Sequence, residues 1–173
     1  MKNGILAIIL NLAVYSGALF AETGQDLFMA AIQGQAQRIH TILSSGVDVN
    51  SKVGSGRTAL MVAAYSGNYR VMQTLIAYGA NVNLADNQGS TALMDAIIFG
   101  DQRLVSLLIS AGADVNAEDK LGVRVLVKAK KAGHKQLLKV LEEAGAKERE
   151  EVKVEEELAA ETEGESTAKS KAE

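Results

Sequence analysis

Residues 57–83 read RTALMVAAYSGNYRVMQTLIAYGANVN, and their pattern decides the fold. Leu60, Ala63 and Ala64 fall at i, i+3 and i+4, which predicts a short helix with one apolar face. Thr58 stands just before it, a residue whose side-chain oxygen takes up a free backbone N–H at a helix start. Gly67 interrupts the pattern where a left-handed conformation is needed, and only glycine adopts that without strain. Val71, Met72, Leu75 and Ile76 then recur at i, i+1, i+4 and i+5, the stripe of a second helix, which Gly79 ends. Two such short helices cannot bury their apolar faces alone, so the unit predicts stacked neighbours.

Those neighbours are present. Gly46, Gly79 and Gly112 stand 33 residues apart and open the strings GVDVN, GANVN and GADVN, which end at Asn50, Asn83 and Asn116. Gly145 keeps the step, although its string has decayed to GAKER. TALM occurs at Thr58 to Met61 and again at Thr91 to Met94, while Gly34, Gly67, Gly100 and Gly133 hold the same phase. The third segment keeps Leu93, Ala96, Leu104, Val105, Leu108 and Ile109 in register, and the first keeps Leu27, Ala30, Ala31, Ile39, Ile42 and Leu43. In the fourth, Leu126, Ala129, Leu137, Leu138 and Leu141 remain, but Lys130, Lys131, Glu142 and Glu143 replace apolar residues. A terminal repeat needs a polar outer side, so this one is the expected C-terminal cap.

The repeat resembles that of the ankyrin family, whose unit is a hairpin turn, a short helix, a second helix and a loop, with TPLH-x-AA and GADVN motifs. The resemblance implies an all-α ankyrin-repeat solenoid of paired antiparallel helices joined by hairpin turns and loops. The departures sit at the family's TPLH. Its proline is Ala59 or Ala92 here and its histidine Met61 or Met94, so apolar packing by a thioether replaces a hydrogen-bonded imidazole.

The chain ends are different material. Lys2 and the apolar run GILAIILNLAVYSGALF predict a signal peptide over 1–21, cleaved after Ala21 or Ala18, rather than a retained membrane anchor. Export to the periplasm, or secretion, is the expected localisation, and the absence of cysteine is consistent with an oxidising compartment. Residues 147–173 carry ten acidic and five basic side chains and few large apolar ones. Glu148 to Ala160 favour helix and would prolong the last one, with disorder expected beyond Gly164. The predicted organisation is therefore the signal peptide, four repeats over 22–146 (about 22–52, 53–85, 86–118 and 119–146), and an acidic tail over 147–173.

Composition limits the chemistry. Net charge is −3, without the basic cluster that tracks a phosphate backbone, so nucleic acid is not an expected partner. With no cysteine there are no disulfides, thiolates or zinc-thiolate sites. VGSGRTA, Val53 to Ala59, imitates a dinucleotide loop. However, Gly56 shares its phase with Gly89 and Gly122 and is a turn glycine, so no cofactor is expected. Asp48 and Asp114 lack the spacing of a calcium loop. His40 and His134 are expected to face outward with no carboxylate or nucleophile at useful spacing, and the chain is not expected to be an enzyme.

The expected activity is protein–protein interaction through a concave face. Carried over from the family, its contact pairs are Ile32 and Gln33, Tyr65 and Ser66, Ile98 and Phe99, and Lys131 and Ala132. The hairpin tips are Gly54, Ser55 and Arg57; Asn87, Gln88 and Ser90; and Lys120, Leu121 and Val123. Ile32, Tyr65, Ile98, Phe99, Leu121 and Val123 then form an apolar strip flanked by Arg57, Lys120 and Lys131, the composition of an interface. The competing expectation is that Ile98 and Phe99 pack inward. Asp95 breaks a column otherwise held by Met29, Val62 and Lys128, which predicts either partner contact or an ion pair with Lys128. A host protein or a periplasmic enzyme needing an accessory subunit are the alternative partners.

Overall fold

The computed structural model describes residues 22–148, which fold into eight helices. They come in four pairs: α1 (Gly24–Ile32) with α2 (Ala36–Ser44), α3 (Ala59–Tyr65) with α4 (Tyr69–Ala77), α5 (Ala92–Phe99) with α6 (Gln102–Ser110), and α7 (Val125–Ala132) with α8 (Lys135–Glu143). Residues 1–21, where a signal peptide is expected, and residues 149–173 lie outside the described residues.

Each helix packs on its own partner and on the equivalent helix of the next pair. The first helices of the pairs form an inner layer, α1–α3–α5–α7, and the second an outer layer, α2–α4–α6–α8. Contact is denser within the inner layer than within the outer one. The core runs through the stack in columns one residue deep. Leu27, Leu60, Leu93 and Leu126 form one, and Ala30, Ala63, Ala96 and Ala129 another, all of them buried. In the outer layer Ile42, Leu75, Leu108 and Leu141 are fully buried. Burying each such aliphatic side chain contributes about 1.5–3 kcal/mol, and alanine at the inner columns lets the helices approach closely.

The capping expectation holds and extends further. The Thr58 side chain accepts a hydrogen bond from the Met61 N–H at 3.3 Å, and Thr91 does the same for Met94 at 3.5 Å. The Thr58 N–H in turn approaches the Met61 sulfur at 3.4 Å, so a thioether closes the cap that a Glu or Gln side chain usually closes. Met61 and Met94 are otherwise buried in the core, as their apolar character predicts. Thr23 and Asp26 form a full capping box on α1, unforeseen because the first repeat's motif is degenerate. Those hydrogen bonds from Thr23 hold the Asp26 carboxyl below the usual carboxylate range.

Three asparagines tie consecutive loops together. Asn50 Oδ1 accepts the Asn81 N–H, Asn83 Oδ1 the Asp114 N–H and Asn116 Oδ1 the Lys147 N–H, each at 2.8 Å. Asn83 and Asn116 also donate to the carbonyls of Gly112 and Gly145, at 2.9 and 3.2 Å. The last residue of each GxxVN string is thus the pin between repeats. The decayed GAKER string still receives its pin because the contact is to backbone. Gly145, at φ +90°, also corrects an expectation: α8 stops at Glu143, and residues 144–148 do not prolong it.

Candidate partner-binding face

A hairpin turn precedes each of the inner helices α3, α5 and α7. Each hairpin closes with an isolated bridge: Val53 with Arg57, Ala85 with Thr91, and Glu118 with Arg124. In the later two, an aspartate organises the turn. Asp86 Oδ1 accepts the Gln88 and Ser90 N–H groups, and Asp119 Oδ1 those of Leu121 and Val123. The 53–57 hairpin has Val53 at that position and instead uses Gly54 and Gly56, both with positive φ. Adjacent tips are joined through backbone, Asn87 N–H to Ser55 carbonyl and Lys120 N–H to Gln88 carbonyl, both at 2.9 Å. The tips therefore form one continuous edge.

Along this edge and the helix ends, the structure brings together most of the expected residues. Tyr65 and Ile98, in neighbouring repeats of one column, are each 55% exposed, Ile32 precedes them, and Leu121 at the last tip is 87% exposed. Ser66 is half-buried beside Tyr65, while Asn87, Gln88, Lys120 and Lys131 are exposed. Ile98 thus does not pack inward. Phe99 divides differently: about half of it stays exposed, but its ring lies so close over Gly67 that a Cβ there would sit 2.1 Å from Cζ. It fills the place of a side chain that Gly67 lacks and is in part a packing residue.

Asp95 needs the clearest correction. It is only 3% exposed and cannot meet a partner directly. Its ion pair is with Arg57, Nη2 to Oδ2 at 2.5 Å, which reaches from the preceding hairpin. Lys128, the expected partner, is instead bound to Asp119 of its own hairpin at 2.7 Å. The two side chains reach different hairpins, Asp95 that of the preceding repeat and Lys128 that of its own, and so do not meet each other. Burial pushes the Asp95 carboxyl up to about 7, against the opposing pull of Arg57. Burial also disfavours charge on Asp119, but Lys128 and the N–H groups of Val123 and Leu121 outweigh it and hold that carboxyl low. Arg57 is accordingly a fixed cation. Its guanidinium lies 5.8 Å from the centre of the Tyr65 ring, within cation–π range, and its Nε finds no hydrogen-bond partner.

Of the two histidines, His40 is exposed as expected, while His134 is not fully so. His134 lays its ring over Gly100, where a Cβ would approach it to 2.5 Å, and is half-buried. His40 has a hydroxyl in reach after all: Ser44 Oγ is 3.2 Å from Nδ1, and Tyr78 OH is 3.2 Å from the same nitrogen. Ser44 lies one helical turn beyond His40, a spacing visible in the sequence. The group lies on the outer helices in open solvent, with no carboxylate to orient the ring, and serves to bind α2 to α4. Asp48 and Asp114 each accept a hydrogen bond from the N–H two residues on. Among the described residues, no cluster of side chains has the make-up of a metal site. An open groove of about 700 Å³ runs between the Phe99–Gln102 and Gly133–Leu137 segments.

A stack of helical hairpins with projecting turns, each unit packed on its neighbours, defines a repeat solenoid. The family model for ankyrin repeats, three copies, matches residues 27–119, more than half of the chain, and the protein belongs to the ankyrin-repeat family. No curated protein matches it. Ankyrin repeats are, as a family, protein–protein interaction modules and typically non-catalytic.

Proposed function

We propose that the protein is an exported scaffold that holds one protein partner on its concave face. The supporting observation is the column Ile32, Tyr65 and Ile98. Large apolar side chains stay exposed there in consecutive repeats, beside an arginine fixed by a buried carboxylate. Leu121 extends the apolar surface to the last tip, and Lys120 and Lys131 give that end a basic rim. Aromatic and arginine side chains held in place are typical anchors of an interface, because little conformational freedom remains to be lost on binding. Export rests on the Lys2-led apolar segment 1–21, and the functional unit is the four-repeat array over 22–146. The destination separates a periplasmic scaffold, or a subunit supporting a periplasmic enzyme, from an effector acting outside the cell.

The test is capture from the native organism, comparing the full chain with a Tyr65→Ala/Ile98→Ala variant. These two positions are chosen over Phe99 because neither closes the packing over a glycine. A partner retained by the parent and lost by at least about tenfold in the variant, at unchanged melting temperature, is the expected result. Equal capture by both would move the site off this face.

A further inference from the structure

The inner helices bury one flank against the next repeat. Ala31, Ala64 and Ile97 occupy one column of the inner helices and are fully buried, each with a further inner helix after its own. Lys130 is the fourth member of the column, and no described inner helix comes after it. Val127, in the column of the buried Met61 and Met94, is likewise half-exposed there. The open flank of α7 is therefore a place shaped for one more chain segment, with a lysine where the earlier repeats have Ala31, Ala64 and Ile97.

The chain turns back toward this flank as it leaves the last repeat. The Glu148 carboxylate is paired with Lys130 Nζ, and the Glu148 carbonyl accepts a hydrogen bond from Arg124 Nη1 at 3.3 Å. Arg124 begins α7 and Lys130 lies near its end, so Glu148 is alongside the helix. The next stretch of chain has the matching chemistry. Residues 149–163, REEVKVEEELAAETE, carry seven glutamates against one arginine and one lysine, together with Val152, Val154 and Leu158. Exposed Lys131 and Lys120 have no ion-pair partner among the described residues.

We propose that residues 149–163 of this chain dock along the open flank of α7. They take the place of a fifth inner helix, with their valines and leucine toward Val127 and their carboxylates toward Arg124, Lys130 and Lys131. The tail then shields the end of the stack and neutralises the basic rim of the concave face. This docking does not depend on the reading of the concave face given above.

Hydrogen exchange at residue resolution tests it, comparing the full chain with a version ending at Glu148. Removing 149–173 is expected to speed exchange of the 125–132 amides by about tenfold while leaving α3 and α5 unchanged. Lys130→Glu/Lys131→Glu in the full chain should reproduce that loss, and so should raising salt to about 0.5 M, which screens the ion pairs. Unchanged α3 and α5 exchange shows that each variant is folded. A synthetic peptide of residues 149–163 added to the shortened chain should restore protection. Equal α7 exchange in the full and shortened chains would overturn the proposal. Protection that fades on dilution would also overturn it, because the occupant would then be the tail of a second copy.

Discussion

Asp95 shows how one side chain couples two repeats and makes the array sensitive to pH. Its folded pKa of about 7 lies above the unfolded value of about 3.9, so the folded state holds an extra proton between them. Stability from this group is complete below about pH 4 and is lost as pH rises through 7. The carboxyls held low, Asp26, Asp101 and Asp119, act the other way and only below their ordinary range. Between about pH 5 and 8 the melting temperature of the parent should therefore fall by roughly 5 °C, and Asp95→Asn should flatten that slope. A second residue-scale expectation concerns Gly67, at φ +72° beneath the Phe99 ring. Gly67→Ala should cost about 1–3 kcal/mol by chemical denaturation. In a Phe99→Ala background the cost should drop to the backbone contribution alone, about 1 kcal/mol. An equal cost in both backgrounds would show that the ring is free to move aside.

At the scale of elements, the helices were legible because they carry their own signals: an apolar stripe within, a glycine after and, before three of the four inner helices, a threonine. The 33-residue step supplied the order of stacking without any need to see a contact. What the sequence left open were contacts whose direction periodicity does not specify. Asp95 and Lys128 share a column, yet Asp95 meets Arg57 of the preceding repeat's hairpin and Lys128 meets Asp119 of its own, so neither meets the other. Phe99 shares the phase of Gln33, Ser66 and Ala132, and nothing in that phase says that an aromatic ring will fold over the preceding glycine. The asparagine pins were on view as the last letter of GxxVN, but a repeated residue does not disclose which N–H it binds. Asn83→Ala removes an acceptor for Asp114 and a donor to Gly112, and should cost about 1–3 kcal/mol in stability. Unfolding should also become less cooperative between the second and third repeats, measurable as a divergence between exchange rates in α3 and α7. Retained cooperativity would place the coupling in the helices alone.

For the whole molecule, the two layers differ: inner helices with alanine columns make denser contact with one another than the outer helices with their larger side chains do. The tips are joined edge to edge from Ser55 to Leu121. Every residue with positive φ among those described is a glycine, and no peptide bond among them is cis. On the reading proposed above, a partner meets a face whose described residues place only glycines in left-handed conformations. Recognition of this kind shifts few populations and forfeits little motion, so specificity falls to the handful of side chains standing on that face. Changing the client then means exchanging those side chains while the frame beneath them stays as it is.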